Sequence, residues 1–165
     1  MNGLTDRLMK TKIFEFDPVL DLGSQPIPNT LLYSPWESYK EYNLSLGFNE
    51  KYALAGLVDN IPSHLMYNDT YPYSASASTP TVEHFKQAAE QLSHMFRPTS
   101  VLEIGSNDGS FIKNFDRSIS CAIEPCGNFA EQTNDMGYNT ICDSWSLELA
   151  KSLPKFDLIF AANCI

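Results

Sequence analysis

From Thr99 onward, short apolar runs alternate with helical patterns, and this alternation limits the fold more than any other feature of the chain. Ser100 to Ile104 is a β-branched and apolar run, the pattern of a buried strand. Ser110 to Phe115 begins a short helix. Ile119 to Ile123 reads as a second strand, and Asn128 to Met136 as a second helix stopped by Gly137. Asn139 to Cys142 reads as a third strand, Leu147 to Leu153 as a third helix stopped by Pro154, and Phe156 to Ala161 as a fourth strand. Alternation with short connections implies parallel strands joined by right-handed crossovers. The expected fold class is therefore α/β: a partial Rossmann-like parallel sheet over residues 99–165.

Upstream the texture differs. Residues 1–70 are irregular and rich in Pro, Asn, Tyr and Ser, and predict a small α+β N-terminal domain. Asp21 to Asn29 is turn chemistry after a short apolar stretch. Tyr42 to Val58 reads as a strand or hairpin without a clean period. Residues 71–98 form a linker: a small, polar loop over 71–80, then a helix. Thr81 is the expected N-cap, Val82, Phe85, Ala88, Ala89 and Leu92 fall at helical spacing, and Pro98 ends the helix.

The first strand of the alternating region runs straight into a glycine turn, Gly105-Ser106-Asn107-Asp108-Gly109. Glycine there lets the backbone turn tightly and leaves room for a ligand at the strand end, although packing alone explains many such turns. Glu124 ends the second strand, 19 positions after Gly105, where a carboxylate can accept hydrogen bonds from ribose hydroxyls. Asp143 follows the third strand, placed for an adenine amino group, and Asn163 follows the fourth, near the reacting end of a ligand. Open α/β sheets bind ligands at these carboxyl ends. Singly, each residue also reads as a solvated loop position; together they point to a nucleoside. A dinucleotide fingerprint has a middle glycine for the approach of pyrophosphate, and Asn107 holds that position. Glu103, Asp108 and Glu124 suit the cationic sulfonium of S-adenosylmethionine better than a polyanion.

The formal net charge of -9 disfavours nucleic acid and anionic membranes as partners. No apolar run reaches spanning length, and Met1 to Lys12 lacks the apolar core of a signal peptide. The four cysteines, Cys121, Cys126, Cys142 and Cys164, form no CxxC pair, which predicts reduced thiols in a cytoplasmic setting.

Val101 to Gly109, Ile123-Glu124-Pro125 and Lys155 to Asn163 resemble the sugar C-methyltransferases. Those enzymes act on nucleotide-linked keto-deoxysugars and carry a zinc-binding module before a class I methyltransferase domain. Leu20 to Asn29 resembles the stretch after that module's first cysteine pair. Tyr71-Pro72-Tyr73-Ser74, with Ser76, Ser78 and His84, resembles the linker whose aromatic residues help close over the cofactor. The resemblance implies S-adenosylmethionine as cofactor, a nucleotide-sugar as a candidate acceptor, and a binding set of Tyr73, Glu103, Gly105, Asn107, Asp108, Gly109, Glu124, Pro125, Asp143 and Asn163. Two departures follow. The family's zinc cysteines align with Asp6, Met9, Tyr52 and Ala55, none a thiolate, so no metal is expected; His64 and His84 are isolated. The family's catalytic His, with its neighbouring Tyr and Glu, lies beyond Ile165, and neither His84 nor His94 suggests a replacement. The sequence thus reads as the first half of the domain, truncated, split between chains, or a non-catalytic binding module. Pairing with itself or a partner is expected along the fourth strand.

Overall fold

The computed structural model describes residues 15–28 and 31–164, which form two compact units, Met1–Met66 and Tyr67–Ile165. Among the described residues no helix is long and apolar enough to cross a membrane.

The first unit is an antiparallel sheet of β1 (Asp17–Pro26), β2 (Glu41–Asn49) and β3 (Leu54–Leu57) in the order β1-β2-β3, followed by the one-turn helix α1 (Ser63–Met66). The expected hairpin is β2–β3, with Phe48 opposite Ala55 and Leu46 opposite Leu57. The turn expected from Asp21 onward is corrected: those residues lie mostly within β1. Pairing passes from Asp21–Ser45 to Ser24–Asn43, and Gly23 between them has φ 70°. The Asp21 carboxylate accepts the Gly23 N–H at 2.9 Å. Turn-forming residues thus make a bulge instead of ending the strand. Asn29, and the zinc-alignment positions Asp6, Arg7 and Met9, lie outside the described residues. Phe16 fills the space left by the paired glycines Gly47 and Gly56. No apolar side chain among the described residues of this unit is fully buried, and Leu20, Leu46 and Leu57 make an exposed row across one sheet face.

The second unit carries the α/β fold. Helix α2 (Thr79–Phe96) precedes β4 (Val101–Ile104), β5 (Ser120–Ile123), α3 (Gly127–Asp135), β6 (Asn139–Ile141), α4 (Leu147–Ser152) and β7 (Leu158–Ala161). All strand pairs are parallel and the order is β6-β5-β4-β7. The four strands fall where the alternation puts them, shorter by a residue or two at some ends. The N-cap of α2 is Ser78, not Thr81: the Ser78 hydroxyl accepts the Thr81 amide and hydroxyl, and Pro80 in the first turn is already set for helix. Arg97, in the left-handed conformation, closes the helix just before Pro98.

The helix expected from Ser110 shrinks to a 3-10 turn, Ile112–Asn114. Two of its amides are diverted to side chains: Asp108 takes the Ser110 N–H, and Glu103 takes the Ile112 N–H at 2.9 Å. Asn114 and Phe115 then bond three residues back.

Every residue of β4 is buried, as a central parallel strand requires. On one face Val101 joins Phe111, Ile112, Phe115 and Tyr138, with Ala89, Phe85 and Leu92 of α2 packed over them. On the other, Leu102 and Ile104 meet Cys121 and Ile123, with Leu149, Leu153 and Phe156 beyond. A sheet covered on both sides leaves its strand tips as the place where polar chemistry collects.

Candidate functional site

The turn after β4 is built by backbone geometry. Gly105 has φ 69° and Gly109 φ 76°, conformations that disfavour a side chain. The Gly105 amide donates to the Ile123 carbonyl at 2.8 Å, which ties the turn to the tip of β5. The space beside each glycine is occupied by the chain itself. A Cβ at Gly105 would meet Cys164 at 2.8 Å, and one at Gly109 would meet Thr133 at 2.7 Å and Met136 at 2.9 Å. Gly109 is therefore required by the packing of α3. The Cys164 thiol donates to the Ile104 carbonyl at 2.9 Å.

Three carboxylates are buried around this turn: Glu103, Asp108 and Glu124, each at most 4 % exposed. Glu124 accepts the Asn107 amide at 2.6 Å through Oε2 and the Cys126 amide at 2.8 Å through Oε1. Asp108 accepts the Ser110 hydroxyl at 2.6 Å, the Ser76 amide at 2.7 Å and the Ser74 hydroxyl. Burial pushes the Asp108 carboxyl up, but the hydrogen bonds from Ser110, Ser74 and Ser76 outweigh it and hold it below the usual range. Glu103 has only the Ile112 N–H to offset burial, so burial, with Glu124 and Asp108 nearby, raises it well above a normal carboxyl. Burial also pushes the Cys126 thiol up to about 12, with Glu124 adding to it, so this sulfur stays protonated and is no nucleophile at neutral pH.

The two acids affect stability in opposite directions. Glu103 holds its proton more tightly folded than unfolded. Its contribution is complete below the unfolded value of 4.5 and is lost as pH rises through the folded value. Asp108 contributes above the unfolded value of 3.8 and loses that contribution as pH falls through its lowered value. Urea midpoints measured as pH rises from 4.5 are expected to fall in the parent and to fall less in Glu103→Gln. Identical slopes would show that Glu103 does not retain its proton in the folded state.

The structure brings Glu103, Gly105, Asn107, Asp108, Gly109 and Glu124 together, but it assigns several of them work other than facing an open crevice. The Asn107 carboxamide accepts the Ala75 amide at 2.9 Å and donates to the Tyr73 carbonyl at 2.9 Å. Asn107 and Asp108 thus grip the segment from Tyr73 to Ser76. The Tyr73 ring is half exposed and lies 6.5 Å from Tyr71, which in turn lies 5.4 Å from Tyr67. Burial raises the Tyr71 hydroxyl, with Tyr67, Cys126, Tyr73 and Glu124 contributing, which puts this tyrosine beside the tip of β5. Pro125 is half-buried in the turn after β5. Asp143 and Asn163 stand exposed after β6 and β7; Asp143 accepts the Ser144 amide at 2.7 Å, and Asn163 has φ 56°.

Two further residues come to light only in three dimensions. Asp69 accepts the Gly127 amide at 2.7 Å, across 58 positions of sequence. The Ser106 hydroxyl, in the glycine turn and 3 % exposed, is a buried polar atom with no hydrogen-bond partner. Its isolation is invisible in sequence because it depends on what surrounds the turn. Among the described residues, no three His, Cys, Asp or Glu side chains are grouped to hold a metal ion.

Neither the scan against models of known protein families nor the search of curated proteins finds a match to this chain.

Proposed function

We propose that the second unit binds S-adenosylmethionine at the tips of β4 and β5, as a methyltransferase-like domain related to the C-methyltransferases of nucleotide-linked deoxysugars. One observation carries the choice of ligand. The amides that follow β4, which in a dinucleotide-binding fold cradle a pyrophosphate, are spent on the chain's own carboxylates. Asn107 N–H goes to Glu124, Ser110 N–H to Asp108 and Ile112 N–H to Glu103. A phosphate there would have to displace three acidic side chains and sit against the carboxylates of Asp108 and Glu124. A phosphate-free nucleoside carrying a sulfonium has the complementary charge.

The residues present fit such a group. Two amides take two of roughly four lone-pair positions on the Glu124 carboxylate, which leaves acceptor capacity for a ribose hydroxyl. The unpartnered Ser106 hydroxyl offers a further polar contact within the turn. Asp143 and Asn163 are candidates for the adenine and for the methionine end. When bound, S-adenosylmethionine supplies an electrophilic methyl group; the residues of this chain bind and orient it. The four free cysteines fit a reducing, cytoplasmic compartment.

Calorimetry with S-adenosylmethionine and with NAD tests the reading. S-adenosylmethionine is expected to bind and NAD not to. Glu124→Ala is expected to weaken binding by about 10- to 150-fold, the loss of a hydrogen bond to a charged group, with circular dichroism confirming the fold. Unchanged affinity in this variant, or tighter binding of NAD by the parent, would overturn the proposal. A second reading rests on β7, which among the described residues pairs with β4 alone and exposes 56 % of Ile159. Such an edge favours pairing with a second chain, read by light scattering.

A further inference from the structure

A sheet ends in edge strands whose outward peptide groups can pair with another chain. Among the described residues β6 pairs with β5 alone. The Ile141 carbonyl accepts the Glu124 amide, so Ile141, and with it Asn139, turns its peptide groups toward β5. Thr140 is then the one residue of this three-residue strand whose N–H and C=O face outward. Both are already taken. The Thr140 amide donates to the Asn134 carboxamide oxygen at 3.0 Å, and the Asn134 carboxamide nitrogen donates to the Thr140 carbonyl at 3.0 Å. That nitrogen also donates to the Ala130 carbonyl at 2.9 Å, one turn back in α3. A carboxamide carries a donor and an acceptor, as a peptide group does. Asn134 thus offers Thr140 the two bonds that a neighbouring strand would offer.

The end of α3 holds Asn134 in place. The Tyr138 amide donates to the Thr133 carbonyl at 3.2 Å and the Gly137 amide to the Asn134 carbonyl at 2.8 Å, with Gly137 at φ 87°. This double-bonded, left-handed helix end turns the chain back on itself, so that β6 runs past the helix it has just left. Charge and proline, the common guards of an exposed edge, are absent from Asn139-Thr140-Ile141. We infer that the Asn134 carboxamide stands in for a neighbouring strand and closes the β6 edge to a second copy of this chain. Any strand that joins this sheet is thereby directed to the β7 side. Without the carboxamide, two copies can meet edge to edge about a two-fold axis, Thr140 beside Thr140, because such a contact is complementary to itself.

Asn134→Ala removes the stand-in strand and keeps a good helix former in α3. In dilute solution its Thr140 amide is expected to exchange with solvent about tenfold faster than the parent's, the loss of one hydrogen bond, while the amides of β4 and β5 keep their protection. As concentration rises, light scattering is expected to reach about twice the parent's mass, with Thr140 regaining protection as copies pair. Asn134→Asp keeps an acceptor for the Thr140 amide and adds a charge to the edge, and is expected to retain both the parent's mass and its Thr140 protection. Several results would overturn the inference: a parent mass for Asn134→Ala at every concentration, a raised mass with Thr140 still exchanging freely, or association of Asn134→Asp to the same extent. Loss of protection in β4 and β5 of dilute Asn134→Ala would also overturn it, because Asn134 would then be supporting the core and not guarding an edge.

Discussion

Phe111→Ala is expected to destabilise the second unit by about 3–5 kcal/mol, the range for removing a large buried aromatic side chain. Phe111 is fully buried and stacks on Phe160 of β7 at 3.6 Å between ring centres. Phe85 of α2 meets it edge-on at 5.9 Å, and Phe115 lies tilted at 5.3 Å. Removing the ring therefore opens a cavity bounded by a helix, a strand and the turn after β4, three elements that cannot all close on it at once. Urea denaturation followed by circular dichroism measures the loss; a change below about 1 kcal/mol would mean that the site collapses freely.

Gly109→Ala is expected to be nearly as damaging, by about 2–5 kcal/mol. Left-handed backbone with a Cβ contributes roughly 1–2 kcal/mol and overpacking about 1–3. The new methyl would meet Thr133 at 2.7 Å. Thr133 cannot easily turn aside, because its hydroxyl is bonded to the Phe129 and Ala130 carbonyls at 3.0 and 3.1 Å. Met136, the other neighbour, has a flexible end and can move. Thr133→Ala in the same chain should then recover part of the loss; no recovery would show that backbone strain alone accounts for it.

The parallel sheet was legible because short, mostly apolar runs alternate with helical patterns, and the central strands β4 and β5 are buried throughout. Val101 to Ile104 and Ser120 to Ile123 needed no tertiary information. The segment after Gly109 misled for a physical reason. Its composition permits a helix, but Glu103 and Asp108 compete for the amides that a helix would use, and that competition appears only once β4 is folded beside the turn. Asp21 to Pro28 misled differently: Asp and Gly make the same local hydrogen bond in a turn and in a bulge, and the partner strand decides between them. At the site, residue type announced which side chains matter, but not what they bind. Asn107 and Asp108 look from sequence like ligand contacts. Their partners, Ala75, Ser74 and Ser76, lie more than thirty positions upstream, with no periodicity to reveal the contact.

The position of β4 between β5 and β7 also governs the order in which the second unit is assembled on the ribosome. β5 and β6 add to one side of β4 through short crossovers, but the strand on its other side is made after both. The central strand thus leaves the exit tunnel with one ladder unmade, and Phe111 without the ring it stacks on, until Leu158–Ala161 emerges. Asp157 is suited to the moment of docking. Its carboxylate takes the Thr99 amide and hydroxyl at 2.9 and 2.7 Å, and its own amide reaches the Ser100 hydroxyl at 3.0 Å. These bonds sit one residue before the ladder begins and admit a single alignment of β7 on β4. A slip by one residue would turn Phe160 away from Phe111. The late strand therefore arrives with its register marker first.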